Sequence, residues 1–69
     1  MESMKKLMVD NVGDLRCGMA LICPESVPDM AFHISAATEF YIDSENFWGV
    51  KCEVCGEWHR LQYVYRAVN

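Results

Sequence analysis

The segment Cys52-Glu53-Val54-Cys55-Gly56-Glu57-Trp58-His59 constrains this chain more than any other. It separates two thiols by two residues and follows the second thiol directly with a glycine. A backbone that turns this tightly lets both sulfurs grip one ion, and glycine accepts a geometry that is awkward for residues with a Cβ. The sequence therefore predicts a metal-binding knuckle, with zinc as the ion and with Cys52 and Cys55 as two of its ligands.

The length of the chain explains why a metal would be needed. Sixty-nine residues make one domain, and a domain of that size buries only about 60% of the surface that its unfolded chain exposes. Such a core is marginal, so a disulfide or a metal is expected to support it. The chain is 52% apolar and 23% charged, which excludes wholesale disorder.

The cysteines favour a metal over disulfides because the chain shows no export signal. The apolar run Leu7-Met8-Val9 is interrupted by Asp10, whereas a signal peptide needs about 7–15 apolar residues and a membrane span about 20. We therefore expect a cytoplasmic protein with no membrane partner. In a reducing compartment, Cys-x-x-Cys indicates metal binding or redox chemistry more often than a structural disulfide.

Short strands dominate the hydrophobic pattern after Gly13. Residues 30–34 and 38–43 alternate with period two, and residues 58–68 form the longest stretch rich in aromatic and β-branched side chains. Residues 1–12, rich in Met and Lys, predict a short helical turn or a frayed end. We expect residues 13–69 to form one small, mainly β domain of antiparallel hairpins stapled by one metal ion.

The third ligand must come from outside the knuckle, and Cys23 is the best candidate because it ends an apolar segment and precedes a proline. His59 and Cys17 compete for the fourth position. His59 lies four residues beyond Cys55, so the chain could bend back and present an imidazole nitrogen. A continuous strand over residues 16–23 would hold Cys17 about 20 Å from Cys23, so we expect Cys17 to be an ordinary packed thiol. His33 alternates with apolar neighbours and is expected to face solvent.

Two short motifs resemble the knuckles of a zinc ribbon. Cys23-Pro24-Glu25-Ser26 matches a first knuckle and Cys52-Glu53-Val54-Cys55-Gly56 a second, with the ribbon spanning residues 19–65. The chain is also similar to a group of short, uncharacterised bacterial zinc-ribbon-like proteins that share Cys-Pro-x-Thr/Ser and Cys-x-x-Cys-Gly-x-x-His. The resemblance implies a ribbon fold and one structural Zn²⁺, and no settled activity.

Ser26 departs from the standard ribbon, which has a fourth cysteine at that position. A hydroxyl is a poor zinc ligand beside thiolates, so the departure favours His59 as the replacement ligand. Two alternatives stay open: Ser26 could hydrogen-bond a cysteine sulfur, or the ribbon could be degenerate and metal-free.

The net charge and the lack of catalytic zinc motifs limit the functions that this chain is expected to have. The chain has a net charge of −4, and one Zn²⁺ with three thiolates would make it −5, which opposes non-specific binding to nucleic acid. We expect no enzyme, because Glu57 beside the knuckle lacks the His-x-Glu or HExxH context of zinc catalysis. We expect instead a protein-interaction module. A nucleic-acid-binding ribbon and an acidic inhibitor of a nucleic-acid-binding partner are the alternatives.

The aromatic and basic residues of the last β segment are the candidate interaction surface. Trp58, Arg60 and Arg66 share one face if residues 58–68 form a single strand. Trp and Arg are the residue types that most often dominate interface energetics. Trp48, by contrast, is expected in the core.

Overall fold

The computed structural model describes residues 5–9 and 11–68, and this part of the chain forms two antiparallel sheets with almost no helix. The predicted small, mainly β architecture is confirmed. The first sheet has four strands in the order β1-β7-β2-β3: β1 (Lys5–Met8), β2 (Ala20–Ile22), β3 (Ala31–His33) and β7 (Tyr65–Val68). The second sheet has three strands in chain order: β4 (Phe40–Ile42), β5 (Trp48–Lys51) and β6 (Trp58–Arg60).

The segment expected to be the longest strand is two strands of different sheets. A 3₁₀ helix, Leu61–Tyr63, separates β6 from β7 and carries the chain from the three-stranded sheet to the four-stranded one. Leu61 and Val64 are both buried. Side chains three residues apart cannot point to the same face of a strand of period two, but they can do so around a helical turn. The interruption therefore buries both side chains in the core.

The start of the chain also differs from expectation. In place of a helical turn or a frayed end, β1 pairs antiparallel with β7, with Lys5 opposite Val68 and Met8 opposite Tyr65. A second 3₁₀ helix, Val12–Asp14, follows. The prediction for residues 1–4 and Asp10 lies outside the described residues.

The core takes side chains from both sheets. Leu21 and Phe32 come from the four-stranded sheet, Val50 from the three-stranded sheet, and Leu61 and Val64 from the crossover between them. Cys23 and Cys52 belong to the same buried cluster, so the proposed metal ligands lie where the two sheets meet. Within the described ranges, no helix has the length and apolarity needed to cross a membrane.

Candidate metal centre

Four side chains from three parts of the chain converge on one point. The thiol sulfurs of Cys23, Cys52 and Cys55 and a ring nitrogen of His59 all lie within 4.8 Å of one another. Sulfurs that share one tetrahedral zinc, at about 2.3 Å each, must lie within about 4 Å of one another. The four donor atoms are therefore within an ångström of a closed tetrahedral set, and these are the residues that the sequence nominated.

The knuckle is formed by backbone hydrogen bonds around Cys52. Its N–H donates to the Glu57 carbonyl at 2.8 Å, and its own carbonyl accepts from the Gly56 N–H at 2.9 Å. Gly56 has φ = 81°, in the left-handed region that glycine reaches without strain. This turn reverses the chain between β5 and β6 and brings Cys55 back over Cys52.

Cys23 and His59 are positioned by the strands. The Cys23 N–H donates to the Met30 carbonyl at 2.8 Å, which extends the β2–β3 pairing by one residue and fixes the thiol at the end of β2. His59 is the central residue of β6, directly opposite Val50. Its Nε2 lies 3.1 Å from the Cys55 sulfur, so the histidine already contacts one of its expected co-ligands.

Main-chain donors point at two of the sulfurs. The Glu25 N–H donates to the Cys23 sulfur and the Val54 N–H donates to the Cys52 sulfur, each at 3.4 Å. In both knuckles the donor is the amide two residues after the cysteine. Hydrogen bonds of this kind stabilise negative charge on sulfur, which is the form that binds a metal.

The electrostatics of the cluster show why a cation fits it. Burial raises the pKa of Cys52 to about 11, against the lowering effect of hydrogen bonds from the Cys55 and Val54 amides. Burial also opposes ionisation of Cys23, but hydrogen bonds from the Glu25 amide and from the Cys52 and Cys55 thiols outweigh it, and the pKa of Cys23 is lowered. Three packed thiols cannot all ionise without a compensating positive charge. A divalent cation would supply that charge.

The centre has a buried side and an open side. Cys23 and Cys52 are only 1% and 2% exposed, whereas Cys55 is exposed and His59 is partly buried. The buried pair belongs to the core, so loss of either ligand would disturb packing as well as metal binding. The open pair gives an ion a path to the site.

The other candidate ligands lie elsewhere. Residues 16–19 form a turn in place of the expected strand, with Gly18 at φ = 94° and the Met19 N–H donating to the Arg16 carbonyl. The turn leaves Cys17 exposed and outside the four-residue group, so the prediction of a packed thiol was wrong. His33 is exposed, as expected.

Ser26 supports the first knuckle through the backbone. Its hydroxyl donates to the Cys23 carbonyl at 3.2 Å and accepts from the Met30 N–H at 2.8 Å. The serine side chain therefore closes the loop between β2 and β3. These two backbone contacts stand in place of a hydrogen bond to a cysteine sulfur, which was one of the two alternatives for Ser26.

The residues nominated as an interaction surface do not form one face. Trp58 and Arg60 lie on the same face of β6, but Arg66 lies in β7 between Leu7 and Leu21, in the other sheet. The cause is the 3₁₀ interruption at Leu61–Tyr63. Trp48, expected in the core, is 42% exposed, and Trp58 is 44% exposed.

Sequence reasoning missed Tyr41 and Phe47, which share a sheet face with Trp58 and Arg60. The Tyr41 ring packs edge-on against Trp58 with centroids 4.7 Å apart, and the Arg60 guanidinium lies 4.4 Å from the centroid of the Phe47 ring. The alternation of residues 38–43 predicted that Tyr41 lies on the opposite face of its strand from Phe40 and Ile42. What the sequence did not indicate was which strands would pair.

Comparisons with protein-family models, with curated proteins and with solved structures give no match to this chain. The case for a function therefore depends on the geometry of the site itself.

Proposed function

We propose that the protein is a zinc-stabilised β domain that works as a protein-interaction module and catalyses no reaction of its own. The observation that supports the metal part of the proposal is the convergence of three thiols and one imidazole within 4.8 Å. Cys₃His is one of the common ligand sets of structural zinc, and soft thiolates favour zinc over magnesium or calcium. Because zinc needs reduced thiols, a cytoplasmic location fits the same proposal.

A structural role fits the donor count better than a catalytic one. A catalytic zinc keeps one coordination position open for water or substrate, whereas four protein donors complete a tetrahedron. Two of the donors also belong to the apolar core. An ion at this position would join the end of β2 to the knuckle between β5 and β6, and so would hold the two sheets together.

An interaction role is favoured by the large apolar side chains at the surface. Trp48, Phe47 and Trp58 each leave about two fifths of their surface exposed. Aromatic side chains of this kind are common anchors in protein interfaces. Nucleic-acid binding has weaker support, because Arg60 is already paired with Asp43 and Glu45 and the chain has net charge −4.

The metal part of the proposal is tested by elemental analysis of the untagged protein, together with a thiol count under denaturing conditions. We expect one zinc per chain and four reducible thiols. Cobalt(II) in place of zinc should give the visible absorption of a tetrahedral thiolate site. Cys17→Ser is the matched control, because it removes a thiol that lies outside the cluster and should keep the full metal content.

Two outcomes would contradict the metal proposal. A protein that is folded with no bound metal would show that the four donors are a packing feature. Equal zinc loss in Cys17→Ser and Cys55→Ser would place the site elsewhere.

A further inference from the structure

The three-stranded sheet has a solvent-facing side that the metal centre does not use, and we call it the outer face. It is defined by Tyr41 on β4, Phe47 and Lys51 on or beside β5, and Trp58 and Arg60 on β6. The register places Tyr41 and Arg60 on either side of Gly49, and Lys51 opposite Trp58. Val50 and His59 alternate with these residues and point to the core and the metal centre.

Gly49 allows the aromatic side chains of the outer face to meet. A Cβ on Gly49 would lie 2.2 Å from Cε1 of Tyr41, so the tyrosine ring occupies the space that a side chain would fill. The ring reaches across the glycine and packs at 76° against Trp58. Tyr41 therefore holds the Trp58 ring in place while 44% of that residue stays exposed.

Both exposed aromatic rings of the outer face already contact a cation. The Lys51 ammonium lies 5.7 Å from the centroid of the Trp58 ring, and the Arg60 guanidinium lies over Phe47. Cations bind to the faces of tryptophan and phenylalanine rings because the ring quadrupole is negative there. Lys51 therefore lies over the Trp58 ring where a positively charged group of a partner would compete with it.

The segment that forms the three-stranded sheet and its turns is negative overall. Residues 39–60 contain five acidic and two basic residues, so this segment carries −3 of the net −4. Arg60 is matched by two carboxylates, Asp43 and Glu45. Glu39, whose carbonyl accepts from the Lys51 N–H at 2.9 Å, is exposed and forms no ion pair with any of the described residues.

We propose that the outer face binds an arginine-rich segment of a basic protein partner, with an arginine of the partner stacked on the exposed ring of Trp58. Arginine suits this position better than lysine because its planar guanidinium stacks on aromatic rings and pairs with carboxylates at its edge. Glu39, which pairs with Lys51 across the sheet and has no ion-pair partner among the described residues, supplies the complementary charge. This inference rests on the proposed interaction function and specifies the partner that it would serve.

Two other occupants fit the same face less well. A single-stranded nucleic acid would stack on Trp58, but its phosphates would meet a surplus of carboxylates and only Lys51 as an unmatched cation. A second copy of this chain would bring two faces of the same negative charge together. Both are outcomes that the experiment below distinguishes.

The test uses the zinc-loaded protein and a dye-labelled synthetic peptide of alternating arginine and glycine, followed by fluorescence anisotropy at low salt. A peptide with glutamate in place of arginine and a thymidine oligonucleotide of similar length are the competing probes. We expect the arginine peptide to bind and the other two to bind weakly or not at all. Affinity for the arginine peptide should fall as salt is added.

Substitutions at Trp58 show whether binding depends on the aromatic ring or only on the size of the apolar side chain. Trp58→Leu removes the aromatic ring and should weaken peptide binding by about 3- to 30-fold, the range expected for a cation–π contact. Trp58→Phe keeps a ring and should retain most of the affinity. Leu7→Ala, which truncates an exposed apolar side chain of the other sheet, is the matched control and should leave binding unchanged.

Lys51→Ala distinguishes most sharply between a basic peptide and a nucleic acid, because its effect on affinity should have opposite signs for the two. Removing this cation should strengthen binding of the arginine peptide, by about 2- to 5-fold at low salt. It should weaken binding of a nucleic acid. Glu39→Gln should weaken binding of the peptide by a similar factor. Asp14→Asn is the charge control, because Asp14 lies beside Lys6 and Arg66 of the four-stranded sheet.

The inference is overturned if the peptide binds Trp58→Leu as tightly as wild type, if Lys51→Ala weakens it, or if the oligonucleotide binds more tightly than the peptide. Concentration-dependent dimerisation that Trp58→Leu abolishes would identify a second copy as the occupant instead. Zinc content is measured for every variant. If the folded, zinc-loaded protein does not bind the peptide, this inference is refuted and the metal proposal stands. If the protein contains no zinc, the metal proposal is refuted.

Discussion

The two sheets contribute to one core by different means. The four-stranded sheet buries Leu21, Ile22 and Phe32, so ordinary apolar packing accounts for its place in the molecule. In the three-stranded sheet the only strand residues that are buried are Gly49 and Val50, and Phe40 packs against the core while staying partly exposed. Apolar burial stabilises in rough proportion to the area removed from water. The three-stranded sheet therefore has far less of this stabilisation.

The candidate metal centre lies where the second sheet meets the first. Cys52 and Cys55 follow β5 and His59 is within β6, so three of the four ligands belong to the three-stranded sheet or its turn. Cys23, which follows β2, is the fourth. A bound ion would join the weakly packed sheet to the well-packed one. In a domain of this size such a link can decide whether the chain folds at all.

The largest expected effect is that of Cys52→Ser. The change removes a ligand from the buried side of the centre and leaves a hydroxyl in its place, among apolar neighbours. Structural zinc in small domains contributes about 10–16 kcal/mol at neutral pH, as much as or more than the typical net stability of a domain. We expect no bound zinc and no cooperative unfolding transition, measured by elemental analysis and by thermal circular dichroism.

Hydrogen exchange of the same variant would test the comparison directly. Residual protection should be lower in β4, β5 and β6 than in β2, β3 and β7. Chelation of zinc from the wild type should give the same order. If protection is lost evenly, the two sheets form one cooperative unit and the distinction between them fails.

A second prediction compares matched truncations in the two sheets. Leu21→Ala should destabilise the zinc-loaded protein by about 2–5 kcal/mol, because it opens a cavity at a side chain with no exposure. Val50→Ala should cost less, about 1–3 kcal/mol, since it removes less volume. Urea unfolding at saturating zinc measures both values.

The two truncations should also differ at the metal. Val50 lies directly opposite His59, so the cavity left by alanine is beside a ligand. Val50→Ala should therefore alter the visible spectrum of the cobalt-substituted protein, and Leu21→Ala should leave it close to wild type. The reverse pattern would show that the four-stranded sheet, and not the three-stranded one, positions the ligands.

Gly49→Ala should have a moderate effect that is specific to the second sheet. The new Cβ would lie 2.2 Å from Cε1 of Tyr41, so the ring must move and lose its contact with Trp58. We expect destabilisation of about 1–3 kcal/mol and altered tryptophan fluorescence. A double-mutant cycle with Tyr41→Ala measures the clash, because Gly49→Ala should lower the free energy of unfolding much less once the tyrosine ring is absent.

The sequence allowed the clustering of Cys23, Cys52, Cys55 and His59 to be predicted better than the paths of the strands. The knuckle depends on local spacing, since Cys52, Cys55 and His59 lie within eight residues and one turn brings them together. Cys23 could be added because zinc needs ligands from outside a single knuckle. These inferences need only the short-range geometry of the chain.

The missed features depend on pairing between distant segments. The strand β1 exists because Lys5–Met8 pairs with Tyr65–Val68, and nothing in the first twelve residues indicates that partner. Trp48 shares a sheet face with Val50, yet it pairs with Ile42 at the end of the sheet away from the knuckle, where both stay exposed. Alternation along a strand identifies its faces but not how much of each face another element will cover.

Asp43 gives the smallest expected effect and the one that depends on pH. The Phe47 amide donates to its carboxylate, as does the Glu45 amide, and Arg60 forms an ion pair with it, so the pKa of Asp43 is lowered. A lowered pKa in the folded state stabilises the fold above the ordinary aspartate pKa of about 3.9. The contribution disappears as the pH falls through the lower pKa of the folded protein.

Asp43→Asn should therefore be slightly less stable than wild type at pH 7, and the gap should close as the solution is acidified. The comparison uses the difference between the two proteins because acid also protonates the zinc ligands, and that effect is common to both. Thermal unfolding of both proteins in parallel from pH 7 to about pH 2, well below the ordinary aspartate pKa, measures it. Since the turn of residues 43–47 joins β4 to β5, a gap that stays constant with pH would mean that the turn relies on neutral hydrogen bonds.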